Sequence, residues 1–253
     1  KKTLIMSRRQ LLSPSGLRID GRRAGELRKI KCRMGLFDKA DGSAYYEQGN
    51  TKVLAAIYGP REVSRGTDAL HDRAVVRCEY TMAKFSTGER KRGKFKTDRR
   101  STEISLVIQK TFESVIQTEL FPRSQISIFV QILQADGGTR CAAINAASLA
   151  LVDAGIPMKD YVCACAAGFV ENTPIVDLNY VEDSSRGPDL PVAILPSTNE
   201  LVMVQMDAKL HLDHFESVLD IAIKGCQAIA EILKHQMKSH FIQLEHPKAP
   251  IVG

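Results

Sequence analysis

Apolar and polar residues alternate with a period of two over 29–37, 42–47 and 51–58, and the breaks between these runs carry Asp41-Gly42 and Gly49-Asn50. Period two predicts strands, and Asp or Asn beside Gly predicts tight turns, so the chain is expected to open as an antiparallel meander. Gly59-Pro60 is expected to end it, followed by a polar loop to about Asp72 and a strand over 74–82. The period then lengthens. Ile104, Leu106, Val107, Ile108, Phe112, Val115 and Ile116 predict a helix over 99–120, with Asp98 as its N-cap. A strand over 125–134 and a helix over 139–154 complete a first half. Ala142, Ala143, Ala146, Ala147 and Ala150 let that helix approach its neighbours closely, so it is expected to be central.

Strands over 161–170, 174–178, 192–196 and 201–207 repeat the order. A helix over 213–235 follows, its apolar face made by Phe215, Val218, Leu219, Ala222, Ile223, Cys226, Ile229, Ala230 and Leu233. Strands followed by helices in each half predict two related α+β lobes. The expected organisation is an N-terminal extension (1–16), a domain over 17–238 with lobes of about 17–157 and 158–238, and a C-terminal tail (239–253) that frays around Pro247 and Pro250.

With 253 residues, 44% of them hydrophobic, the chain can bury a sizeable core without staples. The six cysteines lie mostly within apolar runs and lack CxxC spacing, which predicts reduced, buried thiols of an intracellular protein rather than a zinc site. No apolar run approaches the ~18 residues of a membrane span, and the N-terminal residues lack the apolar length of a signal peptide. A soluble protein without membrane partners is expected. The net charge of +6 favours an acidic partner, with nucleic acid the leading candidate because the basic residues concentrate at 84–100.

The candidate chemistry begins at Ala135-Asp136-Gly137-Gly138-Thr139-Arg140. Two glycines free the backbone to approach a ligand, and the helix start behind them offers N–H groups and a positive dipole end. Thr139 adds a hydroxyl. Arg140, in a first helical turn, faces the wrong end of the macrodipole at a cost of up to ~1 kcal/mol unless an anion lies between. Gly138, Thr139 and Arg140 are therefore candidate phosphate ligands; the alternative is a glycine turn with Arg140 in solvent. Arg99 and Arg100 repeat the anomaly at the earlier helix start. The loop before them, 86–96, is dense in Lys and Arg (Arg90, Lys91 and Arg92 among them) with one aromatic, Phe95, and suits contact with a phosphate backbone; it also looks like a nuclear-import patch, and a solvated charged face is the plain alternative. A third cluster is acidic: Asp177, Asp183 and, further on, Asp189. Carboxylates beside phosphate-binding arginines suit Mg²⁺ binding or proton donation to a leaving oxygen. On one straight strand Asp177 and Asp183 would lie roughly 20 Å apart, so they can cooperate only if the chain bends.

Arg22-Arg23, Gly42-Ser43-Ala44, Gly49-Asn50-Thr51, Arg99-Arg100, 134–140, Asp153-Ala154-Gly155-Ile156-Pro157 and the 177–183 run, in this order, resemble the RNase PH family over about 17–231. The 85–90 loop and Gly155-Ile156-Pro157-Met158 favour the exosome-ring branch over the bacterial tRNA-trimming enzymes. The resemblance implies a two-lobed βαβα fold of the ribosomal protein S5 domain 2-like kind. It also implies a six-membered ring of RNase PH-like exosome subunits, with RNA-binding cap subunits and an attached hydrolytic ribonuclease. Single-stranded RNA is the implied substrate, processed 3′ to 5′ with inorganic phosphate as co-substrate, in nucleus, nucleolus and cytoplasm. Carried over by position, Gly138, Thr139 and Arg140 bind phosphate, while Arg99 and Arg100 hold RNA. Asp177 and Asp183 are the catalytic carboxylates, with Asp189 as a supporting acid for Mg²⁺. Many eukaryotic members of this branch are non-catalytic scaffolds with these positions replaced; here none is replaced. Three functions stay open: a phosphorolytic exoribonuclease in an exosome ring, a non-catalytic RNA-threading ring subunit, and a stand-alone homohexameric phosphorolase.

Overall fold

The computed structural model describes residues 11–63, 70–88, 98–185, 187–206 and 208–245. The expected meander forms from β1 (Ile30–Met34), β2 (Gly42–Gln48) and β3 (Thr51–Glu62), with Met34 opposite Ala44 and Gln48 opposite Thr51. β3 runs past Gly59-Pro60 instead of stopping there. The register slips between Tyr58 and Arg61, so the proline is absorbed at a bulge, where no ladder donor is required. β4 (Val75–Met82) and β5 (Ser124–Gln134) are parallel, joined by α1 (Arg99–Val115), as a parallel pair requires a crossover. α1 is shorter than its apolar spacing predicts. Ile116 turns extended, and Thr118–Leu120 form a separate 3-10 turn. The first sheet has the order β1-β2-β3-β5-β4.

α2 (Thr139–Asp153) closes the first half, and the second contains β6 (Cys163–Val170), β7 (Thr173–Val176), a single helical turn α3 (Tyr180–Asp183), β8 (Asp189–Leu195), β9 (Glu200–Val204) and α4 (Leu212–Glu245). Its strands form an antiparallel sheet of order β7-β6-β8-β9. α4 continues beyond the expected end at 235 because its last turns are held on the first half: His240 Nε2 lies 2.9 Å from Asp153 Oδ1. Leu11 and Leu12, within the expected extension, are buried against Val170, Ile175 and Leu178. No helix among the described residues is long and apolar enough to cross a membrane.

α2 is the shared core element. It packs on β1, β2, β3 and β5 of the first sheet and on β6 and β8 of the second, and every residue from Cys141 to Leu151 is buried. Small side chains permit this. At Gly42 a Cβ would sit 2.2 Å from Ala150 O, so β2 meets the helix at backbone distance. The fully buried Asn145 spans both sheets, its Nδ2 donating to Tyr46 Oη (3.2 Å) and Ala164 O (2.9 Å), and its Oδ1 accepting from Ala164 N (2.7 Å). A polar group so enclosed is tolerated because it is paired.

Candidate functional site

The chain enters α2 through two left-handed residues, Gly137 (φ 72°) and Gly138 (φ 62°), the latter at the N-cap. Gly137 is required by space as well as torsion: a Cβ would lie 2.5 Å from Leu178 O and 2.6 Å from Asn179 C. The glycine loop thus rests directly on the backbone of the acidic segment. The first turn of α2 holds no acidic residue, and Gly138 supplies no side-chain cap, so its N–H groups and dipole are set out for an anion.

The acidic segment bends where sequence alone left its path open. Asp177 is left-handed (φ 54°), and the chain then closes the α3 turn. Asn179 Oδ1 accepts from Glu182 N (3.0 Å), and Glu182 Oε2 accepts from Asn179 N (3.0 Å), a capping box that fixes the turn. Asp183, the next residue, therefore faces a cleft of about 190 Å³. That cleft is lined by Arg100 from α1, Gly138, Thr139 and Arg140 from α2, Asp183 from α3 and Asp189 from β8. Six of the residues singled out from sequence meet there.

Asp177 does not join them. It is 2% exposed, and its carboxylate is held by Arg28 through the backbone N (2.7 Å), Nε (3.1 and 3.0 Å to its two oxygens) and Nη2 (2.7 Å). Burial pushes its pKa up, but hydrogen bonds and charge from Arg28, with the charge of Arg22, outweigh this and hold it below the usual carboxylate range. Such a carboxylate has no lone pairs to spare for a metal. The structure does not bring Asp177 together with Asp183 and Asp189 as expected: Asp177 is enclosed by Arg28 while the other two line the cleft, and no group of three His, Cys, Asp or Glu residues placed for a metal occurs among the described residues. Arg99 opens α1 as an exposed residue outside the cleft lining. Asp98 occupies the N-cap position without a side-chain cap bond. Arg90, Lys91 and Arg92 lie outside the described residues. The stem of their loop is anchored beside the glycine loop, where Ser86 O accepts from Ala135 N at 2.8 Å and Phe85 stands 72% exposed.

Sequence reasoning missed the supports. Arg18, 3% exposed, donates through Nε to Glu182 Oε1 (2.7 Å), through Nη2 to Glu182 Oε2 and through its fork to Val176 O (2.6 Å) and Asp177 O (2.9 Å). The Asn-x-x-Glu spacing of 179–182 announces the capping box; nothing local marks Arg18 or Arg28 among the many arginines. Tyr80, on β4 and 2% exposed, faces Thr139; burial raises its pKa, while Thr139 and the charges of Arg100 and Arg140 oppose that rise.

The two packed α+β lobes bring the start of α2 opposite the carboxylates of Asp183 and Asp189 across one cleft, an arrangement able to hold an anion beside an acid. Residues 26–157 match the description "3' exoribonuclease family, domain 1" and residues 160–225 match "3' exoribonuclease family, domain 2", and the chain belongs to this RNase PH family. It is 55% identical over 241 residues to the exosome complex component RRP41 homolog of Arabidopsis thaliana, covering 95% of this chain and 99% of that protein. It is likewise 55% identical over 233 residues to exosome complex component RRP41 of Homo sapiens (91% and 94% covered). Identity to exosome complex component Rrp41 of Thermococcus onnurineus is 48% over 235 residues (93% and 94% covered). The crystal structure of rice (Oryza sativa) Rrp46 superposes with a TM-score of 0.78 at 25% identity, covering 87% of this chain and all of that one.

Proposed function

We propose that this chain is an exosome-ring subunit that degrades single-stranded RNA from the 3′ end by phosphorolysis. The observation carrying this reading is the convergence of Gly138, Thr139, Arg140, Arg100, Asp183 and Asp189 on one cleft. An inorganic phosphate held by the α2 start and Arg140 attacks the terminal phosphodiester phosphorus. A new P–O bond forms as the bond to the 3′ oxygen of the penultimate nucleotide breaks. The leaving oxygen takes up a proton, giving a nucleoside 5′-diphosphate and RNA one residue shorter. Arg100 and Arg140 offset the negative charge gathered in that transition state, and holding both phosphates in one cleft supplies the orientation.

Asp183 and Asp189 fit the limited demand of Mg²⁺ for one or two carboxylates, with water and substrate phosphate completing its shell. A bound Mg²⁺ supplies charge neutralisation at the phosphate oxygens; Asp183 is otherwise placed to deliver the proton. The names and sequence similarity of the RRP41 proteins support membership in an exosome assembly with other RNase PH-like subunits. Exposed apolar residues such as Phe129 on β5 and Phe37 between β1 and β2 are consistent with ring contacts. Cap subunits, an attached hydrolytic ribonuclease and a nuclear, nucleolar and cytoplasmic distribution belong to the same proposal.

The test is to assemble the ring without attached hydrolases and incubate it with single-stranded RNA, Mg²⁺ and saturating phosphate. Release of nucleoside diphosphates that depends on phosphate is expected. Absence of diphosphates replaces this reading with that of a non-catalytic RNA-threading subunit.

A further inference from the structure

Beside the glycine loop, the Arg28 guanidinium is divided between the segment that leads into α2 and the segment that leads into α3. Nε and Nη2 hold Asp177 at 2.7 to 3.1 Å, while Nη1 donates to Asp136 O and Nη2 reaches Gly137 O at 3.5 Å. Thr51 Oγ1 donates to the same Gly137 carbonyl at 2.9 Å. One oxygen of Asp136 accepts from Tyr180 N at 3.3 Å, so the glycine loop and the head of α3 are joined from both sides. Asp177 is the left-handed pivot from which the chain turns into α3 and so to Asp183. A guanidinium fork fixes distance and angle together, whereas apolar contacts at the same place allow sliding.

We propose that Arg28 and Asp177 are positioning residues: the buried pair sets the offset between the phosphate-holding loop at 136–138 and the carboxylate of Asp183, and neither touches substrate. This rests on the phosphorolytic reading above. A pair kept only for stability would be replaceable by neutral side chains of similar shape, because the desolvation of both charges is then avoided. A positioning pair is not replaceable in that way, since the bonds to the Asp136 and Gly137 carbonyls vanish with the guanidinium.

The discriminating variant is Arg28→Met combined with Asp177→Asn, in the full chain assembled in its ring. Asn keeps an oxygen for the backbone N–H of residue 28 and tolerates the left-handed conformation. The expected result is a melting temperature near that of the wild type, a phosphate Kd raised at least fivefold by calorimetry, and a kcat lowered at least tenfold. In an Asp183→Asn background the same pair should lower kcat less than twofold further, because the placement it provides no longer has a carboxylate to place. Recovery of stability, phosphate affinity and kcat together in the double variant overturns the proposal, as does a full multiplicative loss in the Asp183→Asn background. If the double variant fails to assemble, Arg28→Lys decides. It retains a charge facing Asp177 but not the fork, and a wild-type phosphate Kd and kcat in it overturns the proposal equally. A wild-type ring that neither binds phosphate nor yields diphosphates brings down the phosphorolytic reading itself, an outcome seen before any variant is made.

Discussion

The cleft at the start of α2 and the buried network joined to it through the glycine loop and α3 use the same side chains, arginines against carboxylates, but meet different surroundings. In the network, Arg18 with Glu182 and Arg28 with Asp177 are buried and saturate one another with charged and backbone partners. In the cleft, Arg100, Arg140, Asp183 and Asp189 border about 190 Å³ of open space, and none of the four is among the fully buried charged residues. Residue type therefore does not separate chemistry from architecture here. Access to open space does.

The comparison is broken most directly by removing one member of the buried set. Glu182→Leu leaves the Arg18 charge enclosed and uncompensated, and should destabilise the chain by about 3–5 kcal/mol in chemical denaturation. If it costs less than about 1 kcal/mol, the two regions do not differ as described. Asp183→Asn should do the reverse, leaving stability nearly unchanged while lowering kcat about a hundredfold, with no recovery at higher phosphate. Arg140→Ala should slow turnover by about one to two orders of magnitude, because it removes a charge-assisted hydrogen bond of ~1.5–3 kcal/mol, and raised phosphate should restore part of the rate. A rate loss in Arg140→Ala that phosphate cannot touch places that arginine elsewhere in the mechanism.

Acid sharpens the contrast further. Asp177 is held below the usual carboxylate range in the folded chain, whereas an unfolded Asp takes up its proton near pH ~3.9. Its contribution is therefore complete above that pH and is lost as pH falls through the folded value. The Arg28→Met and Asp177→Asn double variant should show a shallower loss of stability than the wild type below about pH 4. An unchanged acid limb removes Asp177 from the stabilising set. The smallest effect concerns the rim: replacing Arg99 and Arg100 with Gln should reduce the slope of log K against log salt for single-stranded RNA by about 0.7 for each RNA phosphate that is no longer neutralised. Titrations of the assembled ring at several salt concentrations measure it.

Strand positions and the three long helices, α1, α2 and α4, were legible because period and punctuation are local properties. The glycine turn into α2 was legible for the same reason, with two glycines, a hydroxyl and an arginine in four consecutive positions. The separate placement of Asp177 and Asp183 was not. It depends on a left-handed turn at Asp177 and on Arg28, 149 residues away in sequence, and neither leaves a mark in the spacing of the carboxylates. The overrun of α4 to Glu245 was hidden in the same way, since it is secured by the contact of His240 with Asp153.

α2 carries a kinetic consequence. Its amides from Cys141 to Leu151 belong to residues with no exposed face, enclosed between two sheets, and its first turn borders the cleft where we propose that phosphate binds. Exchange of such amides with solvent requires opening of the surrounding sheets, so these protons should be among the last in the chain to be replaced by deuterium. The anion site then belongs to the most cooperative unit of the molecule rather than to a loop that folds and unfolds by itself. Subglobal openings that expose the termini or the rim leave it intact, and its loss coincides with loss of the whole domain.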